Sequence, residues 1–193
     1  DAGGYVTHLE YNNDDKIVKA TDAKGKTEEY TYNNRKDLIS VKDKAGNKTV
    51  YEYDKRHLKT KTVNPLGETT IYTYRADGKL IVKDIEGKNH TEYTYDARGN
   101  MIKEKQIETG IEIQYQYNLR GEVVTVIDGN NGTIKFGYNG RGLREWVTDA
   151  EGNTRFTDYN PNGDIESVTD RRGNRSYFDY DMLGRLVRET DPA

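Results

Sequence analysis

The stretch Tyr93-Thr94-Tyr95-Asp96-Ala97-Arg98-Gly99-Asn100-Met101-Ile102 decides the fold, because its pattern of paired aromatics, Asx, turn glycine and aliphatic pair recurs from end to end of the chain. The second aromatic of successive copies is Tyr11, Tyr32, Tyr53, Tyr74, Tyr95, Tyr117, Tyr138, Tyr159 and Tyr180. Each step is 21 residues, except for 22 between Tyr95 and Tyr117. A fixed period of this length is the signature of a repeat array, in which each unit buries its apolar face only by stacking on its neighbours.

Within a copy, the residue two before the marker is Leu9, Tyr30, Tyr51, Tyr72, Tyr93, Tyr115, Phe136, Thr157 or Phe178, so seven of the nine copies put two aromatics on one face of an extended strand. The residue between them is usually polar, as at Thr31, Glu52, Thr73 and Gln116, and this alternation predicts a strand. An Asx residue follows most markers, and three residues after it stands Gly78, Gly99, Gly121, Gly142, Gly163 or Gly184. Asx opening a type I turn that a left-handed glycine closes is the chemistry of a short hairpin. A second strand then climbs through pairs such as Ile17-Val18, Leu38-Ile39 and Val123-Val124. It ends at a second Asx turn, as at Asp22, Asp43, Asn64, Asp128, Asp149 and Asp170.

Two short strands and two turns use up the period and leave no room for a helix. The predicted fold is all-β, an antiparallel meander of about 18 short strands from nine repeats, treated as one array over residues 1–193. At about 4.8 Å per strand such a sheet is about 85 Å wide, and accumulated twist makes it curl into a spiral sheet or partial β-shell. The last residues, Asp191-Pro192-Ala193, fall in the middle of a second turn, which reads as a piece of a longer array.

Composition excludes several classes. Hydrophobic residues make up 33% of the chain, charged residues another 33%, and mean hydropathy is −1.05. These values would suit a disordered chain, but sixteen tyrosines at regular spacing do not. The net charge of −3 comes from interspersed acids and bases, which gives no basic patch for nucleic acid. There is no cysteine, and no apolar run is long enough to span a membrane. Asp1-Ala2-Gly3-Gly4 carries no signal-peptide pattern, so a secretion signal would lie outside this sequence.

The segment Tyr180-Asp181-Met182-Leu183-Gly184-Arg185-Leu186-Val187-Arg188-Glu189-Thr190-Asp191-Pro192 resembles the YD repeat, also called the RHS repeat, and Tyr95-Asp96-Ala97-Arg98-Gly99-Asn100 and Asp170-Arg171-Arg172-Gly173-Asn174 extend the likeness. The resemblance covers essentially the whole chain. It implies a spiralling β-shell of the kind that encloses a toxin domain in RHS proteins and in the B and C components of Tc toxins, with related arrays in bacterial wall-associated proteins and teneurins. It also implies a secreted or cell-surface location and, as partner, a C-terminal toxin or other polypeptide cargo. The chain departs from the family pattern at Asp15, Lys36 and His57, which replace the turn glycine, and at the fifth copy, which lacks the second Asx. It shows no counterpart of the aspartate-rich segment that plugs such shells, so self-cleavage is not carried over.

The tyrosine stripe reads first as sheet packing and second as a platform for sugar rings or cations. The competing functional reading is therefore a carbohydrate-binding or adhesion module that holds cell-wall or host glycans on exposed aromatic rungs. Trp146 breaks the local pattern, since other copies carry Lys19, Ser40 or Ser167 at its place; it reads as a packing anchor or as a contact for a ligand. The Asx-Gly turns invite calcium, but turn capping already explains their carboxylates, and neither the EF-hand loop nor a nine-residue calcium repeat is present. His8, His57 and His90 follow no ligand spacing, so no metal and no cofactor is expected. Ser40, Ser167 and Ser176 have no nucleophile signature around them, and the expectation is a non-catalytic chain. A synthetic peptide of one repeat, Thr73 to Tyr93, is expected to be disordered in water by far-ultraviolet circular dichroism, because one hairpin buries too few side chains to offset the entropy of ordering it.

Overall fold

A computed structural model describes residues 6–192; the terminal residues discussed above, Asp1 to Gly4 and Ala193, lie outside the described residues. Each described copy supplies one strand ending at its marker tyrosine and a second strand after the turn. The first strands are β1 His8–Tyr11, β3 Thr27–Tyr32, β5 Lys48–Tyr53, β7 Thr69–Tyr74, β9 Asn89–Tyr95, β11 Glu112–Tyr117, β13 Thr133–Tyr138, β15 Thr154–Tyr159 and β17 Arg175–Tyr180. The second strands are β2 Ile17–Thr21, β4 Leu38–Lys42, β6 Lys59–Val63, β8 Leu80–Ile85, β10 Met101–Gln106, β12 Val123–Ile127, β14 Arg144–Thr148, β16 Ile165–Thr169 and β18 Leu186–Thr190.

The chain divides into two units. One holds the described residues up to Tyr93 together with Gln106–Thr109, the other Thr94–Lys105 together with Gly110 onward. In the first unit, β1 to β9 pair antiparallel in chain order. In the second, β10 to β18 do the same. The all-β antiparallel meander is thus the observed architecture of both.

Strand alternation gives each sheet two unlike faces. In β3, β5, β7 and β11 the paired tyrosines are half-buried while the residues between them are exposed. No apolar side chain among the described residues is fully buried; the buried side chains are Asp37, Ser40, Thr91 and Ser167. Ser167 is sealed between strands, donating to Asp158 Oδ2 at 2.8 Å and accepting from Arg175 Nε at 3.0 Å. With no second layer to pack against, stability has to come from within the sheet, through strand pairs, turns and contacts from one copy to the next.

The turns repeat one circuit of hydrogen bonds. In Asp96-Ala97-Arg98-Gly99-Asn100, the Asp96 N–H donates to the Asn100 carbonyl at 2.9 Å and the Gly99 N–H returns to the Asp96 carbonyl at 3.1 Å. Asp96 Oδ1 accepts from the N–H groups of Arg98 and Asn100, and the Asn100 side-chain amide donates to Asp96 Oδ2. The amide and the carboxylate sit four residues apart in other turns too: Asp43 with Asn47, Asp170 with Asn174 and, with the roles exchanged, Asn64 with Glu68 and Asn118 with Glu122. Each such turn satisfies several of its own polar groups internally.

Asp15, Lys36 and His57, which replace the glycine, adopt the same left-handed backbone, with φ of 55°, 68° and 63°. Surrounding bonds therefore impose the turn even where a side chain resists it. His57 is further held by Asp37 in the preceding copy, at 2.5 Å between Nδ1 and Oδ1. The fourth and fifth copies close differently after their second strands. Ile85 replaces the Asx, and a tighter turn forms with Gly87 at φ 71°. In the turn after Gln106 the Glu108 carboxylate takes over, accepting the His90 N–H at 2.8 Å, and Gly110 at φ 68° absorbs the extra residue of the long step.

Hydrogen bonds from the Asn47, Asn100 and Asn174 side chains hold the carboxyls of Asp43, Asp96 and Asp170 below their ordinary value of 3.8. The unfolded chain therefore binds more protons than the folded one between the lowered values and 3.8, and stability falls as pH drops through that window. The thermal midpoint is expected to be flat above about pH 5 and to decline below about pH 4. Asp96→Asn, which keeps the backbone acceptor but cannot titrate, should decline less when melting is followed by circular dichroism.

Candidate functional site: the aromatic ladder and its arginine rail

The joint between copies is where the sheet is weakest. Each of eight hairpins carries a bulge at its marker, as between Thr31 and Tyr32 opposite Leu38, and this bends the strand beside the turn. Pairing to the next copy then stops early. Between β2 and β3 it runs from Thr21↔Thr27 only to Lys19↔Glu29, and between β12 and β13 from Ile127↔Thr133 to Thr125↔Lys135. Beyond that point the strands diverge, and the first residues of the second strand lose their backbone partner in the next copy.

Marker tyrosines close this gap. The Tyr32 phenol donates to the Ile17 carbonyl at 3.1 Å and that of Tyr74 to the Lys59 carbonyl at 2.8 Å. In the second unit Tyr117 reaches Met101 at 2.7 Å, Tyr138 reaches Val123 at 2.8 Å and Tyr159 reaches Arg144 at 2.9 Å. Every acceptor is the first residue of the preceding copy's second strand. Burial pushes the Tyr74 and Tyr117 phenols up, which keeps them protonated as donors. Tyr53, Tyr95 and Tyr180 close their strands at the equivalent place, and Tyr11, on β1, is 55% exposed.

The turn glycines Gly78, Gly99, Gly121, Gly142, Gly163 and Gly184 all take positive φ, between 75° and 98°. In five copies the residue just before the left-handed turn position is an arginine that carries a second link, one that the sequence reading missed. Arg56 donates to the carbonyls of Arg75 and Ala76, at 3.0 and 2.8 Å. Arg120 donates to Gly140 and Asn139, and Arg141 to Pro161 and Asn160, at 2.7 to 3.1 Å. Arg98 reaches the Leu119 carbonyl in the next turn at 3.3 Å, and Arg35 the Tyr53 carbonyl just before the next turn at 3.4 Å. The result is a rail of guanidinium groups along one edge of each unit, every one bonded to carbonyls in or beside the turn of the following copy. Arginine three residues after the marker was the available signal. In the fourth copy Asp77 stands there and pairs instead with Arg75.

Trp146 is half-buried and faces Gly137 across the β13–β14 pair. A Cβ on Gly137 would lie 1.9 Å from the indole Nε1, so the ring covers bare backbone that any side chain would occupy. Phe156, its partner on the other side, is 48% exposed. Among the described residues no three His, Asp or Glu side chains are placed to hold a metal ion.

A single-layer meander whose hairpins are joined by a tyrosine ladder and an arginine rail is a tandem-repeat β-sheet of the YD type. The chain belongs to the teneurin YD-shell family, whose profile matches residues 56–192. The RHS repeat profile matches residues 32–69. No curated protein sequence gives a significant match. The fold is shared with a Photorhabdus luminescens Tc holotoxin pore carrying a mutated TccC3, at 13% identity and a TM-score of 0.64, over 97% of this chain and 13% of that one. It is shared also with TcdB2-TccC3 lacking its hypervariable C-terminal region, at 15% identity and a TM-score of 0.64, over 97% and 13% of the two chains. The chain thus spans about an eighth of the length of these toxin chains. Tyr138→Phe, which deletes one copy-to-copy bond and nothing else, is expected to cost about 1 kcal/mol and to lower the urea midpoint at unchanged slope.

Proposed function

We propose that the chain is a non-catalytic wall segment of a secreted or surface-displayed β-shell, and that this shell surrounds a toxin or other polypeptide cargo. The observation that carries the proposal is the match to the YD-shell family over residues 56–192. The build of the sheet supports it, since the aromatic ladder and arginine rail direct their polar groups to the neighbouring copy. The mechanism is steric: strand pairing, with tyrosine and arginine links bridging the joints between copies, holds protease and solvent away from what lies behind the sheet. Residues 1–193 are proposed to form one array of nine repeats within a longer shell, as the Tc toxin chains of like fold are much longer.

A second reading, glycan binding, rests on Trp146 and its exposed neighbour Phe156. The seat of Trp146 on Gly137 favours a packing role for it. Limited proteolysis of the full-length parent separates the two. Encapsulation requires that a C-terminal passenger be digested more slowly in the presence of the array than alone; equal rates, together with a saturable Trp146 fluorescence response to glycans, would support the second reading.

A further inference from the structure

Seven copies place an aromatic ring two residues before the marker, and the eighth places Thr157 there. The missing ring leaves a cavity of about 120 Å³ lined by Arg144, Val147, Arg155, Thr157, Tyr159 and Ile165. It adjoins a shallower depression of about 450 Å³, which shares Val147 and Arg155 and is flanked by Arg171. An apolar cavity of about 150 Å³ in a protein takes up benzene. A slot slightly smaller but open at its mouth can therefore seat a phenyl ring whose substituents point outward.

The molecule itself shows what belongs beside such a slot. Lys59, the first residue of β6, lies between two rungs, with Nζ 5.5 Å from the centre of the Tyr51 ring and 5.1 Å from that of Tyr72. Arg144, the first residue of β14, holds the same position four copies later. Its guanidinium lies 5.7 Å from the Phe136 ring on one side, while on the other, where a second ring would stand, is Thr157. Arg144 is thus a cation with one aromatic partner in a position built for two. Among the described residues neither Arg144 nor Arg155 makes an ion pair. Asp149 and Asp170, near the depression, are engaged within their own turns by Asn153 and Asn174.

We propose that the slot beside Thr157 is a binding site for an aromatic ring that carries an anionic group: the ring completes the sandwich on Arg144, and the anion meets Arg155. The site is independent of encapsulation and would exist in a glycan-binding or purely structural chain as well.

The test titrates the whole chain with N-acetyltyrosine, with its neutral amide and with N-acetylleucine, following the Thr157 and Val147 methyls by NMR. Saturable shifts with N-acetyltyrosine, about tenfold weaker binding of the amide and no saturation with N-acetylleucine are the expected results. Thr157→Phe fills the slot, so it should raise the thermal midpoint and abolish the response; Thr157→Leu serves the same purpose should the larger ring not be accommodated. Arg144→Gln, which leaves the backbone carbonyl that Tyr159 uses, should weaken binding about tenfold. Absence of saturable shifts, equal binding of N-acetylleucine, or an undiminished response in both Thr157 variants would overturn the assignment.

Discussion

Everything in this structure depends on how one hairpin is fastened to the next. Strand pairing within a copy reaches the turn, but the bulge beside each marker bends the chain away from its neighbour after three residue pairs, as between β2 and β3. In a two-layer protein, packing on a second sheet would cover such a gap. Here no apolar side chain among the described residues is fully buried, so the gap is closed by directional bonds. The marker phenol reaches back to a carbonyl that the ladder has abandoned, and the turn arginine reaches forward to carbonyls of the next turn. Because the two links point in opposite directions along the chain, a copy that has both, such as the one around Tyr138 and Arg141, is held from both sides.

This economy explains the composition. A sheet with one layer needs few aliphatic side chains, and its exposed face can be charged without cost to a core. Cross-strand pairs such as Lys19 with Glu10 and Lys61 with Glu52 occupy the face opposite the tyrosines. Arg175, Asp158 and the buried Ser167 fill a comparable place later in the chain. Partly exposed ion pairs of this kind contribute little individually. What they do well is set register, since a slip of one residue would bring them to the aromatic face.

Much of this was legible in the sequence, and the reasons are specific. Strands and turns could be read because tyrosine alternation and Asx-to-glycine spacing are local signals, each contained within five or six residues. The amide–carboxylate partner four residues after the first Asx was present in the sequence at Asn47, Asn100 and Asn174, but it gains meaning only once the turn is known to bring the two side chains together. The marker tyrosines and the arginines three residues after them were present in the sequence, but the bonds they make could not be read from it, because the acceptors are backbone carbonyls, which every residue has. Asp15, Lys36 and His57 stand where the family pattern has glycine, yet their backbones match the glycines, since the bonds around a turn outweigh the preference of one residue within it. The departures at Ile85 and Gln106 were of the opposite kind, where a changed residue did change the turn.

The tyrosine and arginine links span only about one period each, 15 residues from Tyr138 to Val123 and 20 from Arg120 to Gly140. A gene encoding such a chain can therefore gain or lose whole copies by unequal recombination and still encode a protein in which every bond finds its acceptor. Loss of half a copy would be a different event, because it removes one strand and reverses the direction of all that follow. Lineages should accordingly differ in array length by complete periods, and the single 22-residue step, taken up inside the turn at Gly110, marks the kind of small irregularity that such growth tolerates.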